Sequence, residues 1–152
     1  SFNLFKRNDA YLVPTILAGV TVAEIADDPN SFFPAPIRAK AKQVGPQILE
    51  MVKRAHAAGV KIAFGTDTGV SKHGDNAREF ALLVEAGMTP MQAIASSTVV
   101  AADHLGQSDK IGSIAPGKAA DIIAVAESPL SDIRALETVD FVMKGGVVHK
   151  KP

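Results

Sequence analysis

Asp67 stands where a chain most often places chemistry. The apolar run Val60–Phe64 reads as a short buried strand, and it opens into Gly65-Thr66-Asp67-Thr68-Gly69. In folds built from parallel strands and crossover helices, functional residues gather at the carboxyl ends of the strands. A carboxylate there can bind a divalent cation and can take a proton from metal-bound water. The same residue can also do no more than cap its own loop through the backbone, a common use of Asp. His73 follows in Lys72-His73-Gly74-Asp75-Asn76. It could bind substrate, polarise a carbonyl or ligate metal. The other reading is a solvated loop in which Asp75 or Asn76 caps the next helix.

Nothing else in the chain completes a site. His56 and His104 lie near predicted helix ends, and His149 lies in the last predicted strand. No H-x-H, H-E-x-x-H or serine elbow is present. One Asp and one nearby His fall short of the three or four protein ligands of an ordinary zinc site. The stretch Gly112-Ser113-Ile114-Ala115-Pro116-Gly117-Lys118 has the spacing of a phosphate loop. Such a loop needs Ser or Thr next, to hold magnesium, and it should open a helix. Here Ala119 follows and an apolar strand comes after it, so a plain Pro-Gly turn is the better reading.

The elements around these residues follow from pattern. Tyr11–Leu17 reads as an apolar strand, weakened by Pro14. Residues 27–36 carry Asp, Asn, Ser and three prolines and read as a loop. A helix follows, in two pieces around Pro46, with Ile48, Met51, Val52, Ala55 and Ala58 at helical spacing and Gly59 as its stop. Phe80, Leu83 and Val84 mark a helix over about 76–86. Thr89 as N-cap with Pro90 at the first position starts another, running to Gly106. Beyond Gly106 the texture changes to strand-like pieces at 110–114, 121–126, 139–144 and 147–150, with Gly145-Gly146 as a hairpin turn. The chain thus divides into a β/α part, 1–107, and a β-rich tail, 108–152.

Composition narrows the classes. The chain has 152 residues, 47% of them hydrophobic, enough for one domain with a real core. Sixteen basic residues balance sixteen acidic ones, so no charge surplus points to nucleic acid. The absence of cysteine removes disulfides, zinc-thiolate sites and a Cys nucleophile. No signal-peptide pattern and no run approaching a membrane span is visible. The expectation is a globular, cytoplasmic protein with no membrane partner.

Read together, the segments resemble the amidohydrolase superfamily, in the branch of Xaa-Pro dipeptidases, arginine carboxypeptidases and imidazolonepropionase-related enzymes. The resemblance is carried by VKIAFGTDTG (60–69), HGDNAREFALLVEAGMTPMQAI (73–94), STVVAADHLG (97–106), and KIGSIAPGKAADIIAV (110–125) with VDFVMKGGVVHK (139–150); Leu12–Ile16 resembles the preceding barrel strand. It implies the last β/α units of a (β/α)₈ barrel, residues 1–107, joined to part of a small β-sandwich, residues 108–152. It implies a divalent metal, zinc by family habit, with Asp67 as the ligand and general base after the last barrel strand and His73 on a loop facing the substrate. The substrate would be a dipeptide or another small molecule with a C–N bond. The family's H-x-H pair, bridging lysine and two later histidines precede the matched region and are absent. The expected partners are therefore the remainder of the barrel and, through exposed edges, further copies of the chain. By itself the chain is expected to be inactive. A non-catalytic packing domain is the alternative from another class.

Overall fold

The computed structural model describes residues 2–152. The chain opens with a short helix, α1 (Phe2–Arg7), and enters β1 (Tyr11–Leu12). β1 is much shorter than the apolar run around it. Pro14 cannot donate to a ladder, Thr15 turns into the left-handed region at φ 46°, and α2 (Ile16–Asp27) begins at once. Sequence pattern alone assigned Ile16 and Leu17 to a strand and missed α2. Its residues, ILAGVTVAEIAD, are apolar at nearly every position, so periodicity gives no signal.

A single 23-residue helix, α3 (Ala35–Ala57), then runs straight through Pro46. The expected division at that proline is absent. The helix gives up one backbone hydrogen bond there, and its packing against α2 holds it together. After the stop at Gly59 comes β2 (Lys61–Ile62), parallel to β1 with Tyr11 beside Lys61 and Leu12 beside Ile62. The Ala63 N–H extends the pairing by donating to the Leu12 carbonyl at 3.0 Å.

A turn of 3-10 helix at Asp75–Ala77 leads into α4 (Arg78–Glu85). Next, α5 (Pro90–Ser97) begins on a full capping box. The Gln92 N–H donates to Thr89 Oγ1 at 3.2 Å, and the Thr89 N–H donates to Gln92 Oε1 at 2.8 Å. The expected single helix to Gly106 is broken at Thr98, with φ −118° and ψ −94°, and resumes as α6 (Val99–His104). Ser96, Ser97 and Thr98 explain the break. All three hydroxyls donate back to carbonyls three or four residues earlier, competing with the helix ladder.

The tail holds one antiparallel sheet of β3 (Ile122–Ala124), β4 (Phe141–Lys144) and β5 (Val147–Lys150), in that order. Gly145 and Gly146, at φ 57° and 79°, supply the two left-handed residues that a tight hairpin needs. The strand expected at 110–114 is instead a series of turns. Lys118 Nζ ties that loop together by donating to the carbonyls of Ser108 and Ile111 and to Ser113 Oγ. The same contacts occupy the lysine that a phosphate loop would need free.

The core is shared by both halves. Ile16, Val52, Ile62, Leu83, Ala86, Met88 and Ala93 cluster with Ile133, which a 3-10 turn in the tail (Ile133–Glu137) delivers. Full burial of each large aliphatic side chain stabilises by about 1.5–3 kcal/mol. At the entry end of the strands, Tyr11 bonds Asp103, stacks on His104 at 4.7 Å, and sits under Lys61, which pairs with Asp9 at 2.7 Å. The Asp103 bond holds the Tyr11 phenol above its ordinary value, and the Asp9 bond does the same for the Lys61 ammonium. Tyr11 is half-buried and its partners are exposed, and together they knit α6 to both strands.

Candidate functional site

Because β1 and β2 are parallel and adjacent, their carboxyl ends open on the same side. Two loops leave there, one through Pro14 and Thr15 and one through Gly65–Gly69. They fit closely together. Gly65 lies against Val13, and a Cβ at that position would collide with the valine methyl. The Phe64 N–H donates to the Ser96 carbonyl at 3.0 Å, which fixes the second strand end to α5.

The first loop is held by Glu79. This residue is completely buried on α4, and its carboxylate accepts from the N–H groups of Ile16 at 3.0 Å and Leu17 at 2.7 Å. It caps the N-terminus of α2 from a distance in sequence, satisfying orphan donors and matching the positive helix end. Burial pushes the Glu79 carboxyl above the ordinary carboxylate value, and the two N–H bonds pull part of the way back. Sequence reasoning missed both Glu79 and its role. The available signal was its place one turn before Leu83, on the buried stripe of α4.

The second loop carries Asp67, exposed and in the left-handed region at φ 51°. Asp tolerates that region better than most residues, at some cost. The Asp67 backbone closes its turn, with its carbonyl accepting from the Val70 N–H at 3.2 Å, while its side chain takes no part. Among the described residues nothing donates to the Asp67 carboxylate, and the loop is held by other groups. Asn76 Nδ2 donates to Thr66 Oγ1 at 2.9 Å and to Thr68 Oγ1, the two hydroxyls lie 2.8 Å apart, and Asn76 Oδ1 accepts from the Gly74 N–H at 3.2 Å. Asn76 is therefore a clamp on the strand-end loop. The expected role for Asp75 or Asn76 as a side-chain cap of the next helix is not observed, and Gly74 occupies that cap.

Asp67 also borders an apolar cleft of about 570 Å³ between α2 and α3, walled by Gly19, Val22, Ile37, Val44 and Val70. Lys40 adds a cation to its lining. His73 lies exposed in the turn before Asn76. No ion pair joins it to Asp67 among the described residues. No group of three or more His, Asp or Glu that could hold a metal ion occurs among them either. Asp67 has the chemistry of one oxygen ligand, with a free, exposed carboxylate. The described residues do not supply the rest of a metal site.

Comparison with known proteins places this geometry in context. The sequence profile of the amidohydrolase family matches residues 9–149. Ochratoxinase of Aspergillus niger is 39% identical over 119 residues, which cover 75% of this chain and 24% of the relative. The solved ochratoxinase structure superposes with a TM-score of 0.81 over 99% of this chain and 35% of its own. A solved Xaa-Pro dipeptidase with methionine bound in its active site is 50% identical, with a TM-score of 0.92 over 98% of this chain and 36% of its own. Imidazolonepropionase of Shouchella clausii is 32% identical over 97 residues, 60% of this chain and 22% of that protein. The chain thus spans between about a fifth and somewhat over a third of the length of these relatives.

Proposed function

The chain belongs to the amidohydrolase family, and on that premise we propose that it is the C-terminal part of a metal-dependent hydrolase of C–N bonds. Residues 1–107 are the last β/α units of a (β/α)₈ barrel, and residues 108–152 are strands of a small β-sandwich. The family typically works with a divalent metal; zinc is the ion proposed here. Asp67 contributes one ligand, and the remaining ligands come from the part of the barrel outside this chain.

The observation that carries this reading is the Asp67 carboxylate. It is exposed at the carboxyl end of a parallel strand, unbonded, and held in a costly backbone conformation by its neighbours. Such strain is retained where the surroundings over-determine it, and it clusters at active sites. When bound, the metal supplies polarisation of the scissile carbonyl. Asp67 accepts a proton from the attacking water as the water oxygen bonds to the carbonyl carbon. It returns that proton to the departing nitrogen as the C–N bond breaks. His73 reaches the substrate from the loop beyond Asp67.

The substrate is a dipeptide or acyl-amino acid. The apolar cleft beside Asp67 supports a substrate with an apolar side chain, as does the methionine held in the active site of the similar dipeptidase. The accessible surface supports a missing partner. It amounts to 9209 Å², whereas a compact monomer of 15.9 kDa exposes about 7,400 Å². The remainder of the barrel, and further copies of the chain, are the proposed cover. The isolated chain is then inactive. Cover of that surface without chemistry is the second reading, a packing domain, and the reading frame upstream of Ser1 separates the two through an H-x-H motif.

Asp67→Asn in the complete polypeptide tests the proposal. Amide hydrolysis should fall by about 10²–10⁴-fold with an unchanged circular dichroism spectrum. Near-normal turnover removes Asp67 from the reaction. For the isolated chain, stoichiometric zinc that disappears in Asp67→Ala would contradict an incomplete site.

A further inference from the structure

We propose that Asn76 is a positioning residue for the Asp67 carboxylate, acting through the hydroxyls of Thr66 and Thr68. The inference rests on the reading of Asp67 as a metal ligand and proton acceptor, and it adds the device that aims it.

The clamp can be followed proton by proton. Asn76 Oδ1 receives the Gly74 N–H at 3.2 Å, which fixes the amide orientation and turns Nδ2 toward the loop. The two Nδ2 protons go one to each threonine oxygen. The hydroxyls also bond each other at 2.8 Å, and that bond uses one of their two protons. Thr66 is buried, and its proton is best satisfied inside the triangle, by Thr68. The Thr68 hydroxyl proton is then left over, on the residue next to Asp67. The triangle thus brackets Asp67 on both sides. It holds the residue at φ 51°, in a turn closed by the Val70 N–H donating to the Asp67 carbonyl at 3.2 Å.

The clamp is separate from the requirements of the fold. Asn76 and Thr68 are outside the buried core, and Asn76 does not cap a helix. Both of its amide protons are spent on the loop that carries Asp67, while its oxygen accepts from the Gly74 N–H. An uncommitted loop of five residues with glycine at both ends would sample many directions, and a ligand or base needs one. Outer-shell groups that orient a metal ligand commonly carry a 10–100-fold share of metal affinity.

The test uses the complete polypeptide loaded with zinc and a competing chelator as the probe of affinity. Amide hydrogen exchange of the segment containing Val70 is the second readout. Asn76→Ala should weaken zinc binding about 10–100-fold, speed exchange at Val70 and lower kcat more than KM, with the thermal midpoint little changed. Thr68→Val, which keeps shape and removes the hydroxyl, should reproduce these losses, and Thr68→Ser should restore wild-type behaviour. Should Asn76→Ala fail to fold, the Thr68 pair decides alone. Zinc affinity within twofold of wild type in Thr68→Val overturns the proposal, as does unaltered exchange at Val70. Asp67→Asn is the control. If it leaves zinc binding intact, the reading of Asp67 as a ligand has failed, and the exchange data still judge the clamp. If it abolishes zinc binding while Thr68→Val does not, the clamp alone has failed.

Discussion

The two halves of the molecule solve opposite problems. Around β1 and β2 the chain has little strand, two paired residues on each, but a packed core beside it. Leu83, Val52 and Ile16 are fully buried, and Glu79 and Asn76 each tie down a loop. In the tail the pairing is more extensive and the support is missing. β3, β4 and β5 pair along their lengths, yet Ile123, Val147 and Val148 remain 54%, 61% and 39% exposed. The tail anchors itself to the core through Ile133. Backbone hydrogen bonding and side-chain burial are therefore separable. A ladder forms wherever pairing partners exist, whereas a sheet becomes a stable layer only when a second surface covers one face.

The largest test of this contrast is Leu83→Ala. It should cost about 2–5 kcal/mol in urea unfolding, while Val148→Ala in the tail should cost well under 1 kcal/mol in the same chain. Equal losses would erase the distinction. Glu79→Ala comes next. It strands two buried N–H groups at the start of α2, so a loss of about 2–3 kcal/mol is expected. Glu79→Gln keeps an acceptor and should lose about half of that.

The sign of the pH effect follows from the raised Glu79 pKa. The folded state binds the proton more tightly than the unfolded state. Stability should therefore fall as pH rises from the ordinary value of 4.5 through the higher folded value. Urea midpoints across that range should slope downward in the wild type and flatten in Glu79→Gln. An upward slope would mean that the two N–H bonds outweigh burial. The Thr89 capping box supplies a smaller step, and Thr89→Ala should cost about 1 kcal/mol. Ile123→Ser marks the low end. It should change the isolated chain by no more than about 0.5 kcal/mol. A clearly larger loss in the complete polypeptide would identify the surface that covers the tail.

Much of the candidate site was legible in the sequence. The apolar run before Asp67, the glycines around it and the helix start at Thr89 all survive in the structure. Two of the sequence readings that failed share one cause, which is that local pattern was asked to settle a non-local question. Residues 110–114 look like a strand, but a strand needs a partner, and Lys118 folds the segment on itself instead. α2 gave no periodic signal because both its faces are apolar. The break at Thr98 did have a local sign, three hydroxyl residues in succession, whose competition with the helix ladder is readable without coordinates.

The sequence by itself determined that Asp67 follows a buried strand, that glycines bracket its loop, and that no second ligand cluster accompanies it. Those facts depend only on residue type and spacing. The tertiary structure decided what the Asp67 carboxylate is free to do. Its freedom depends on whether other groups satisfy the loop. Asn76 satisfies it from nine residues away, and Glu79 secures the neighbouring strand end across more than sixty. Hydrogen bonds over such distances exist only once the chain has packed, and they turn an ordinary loop aspartate into an available one.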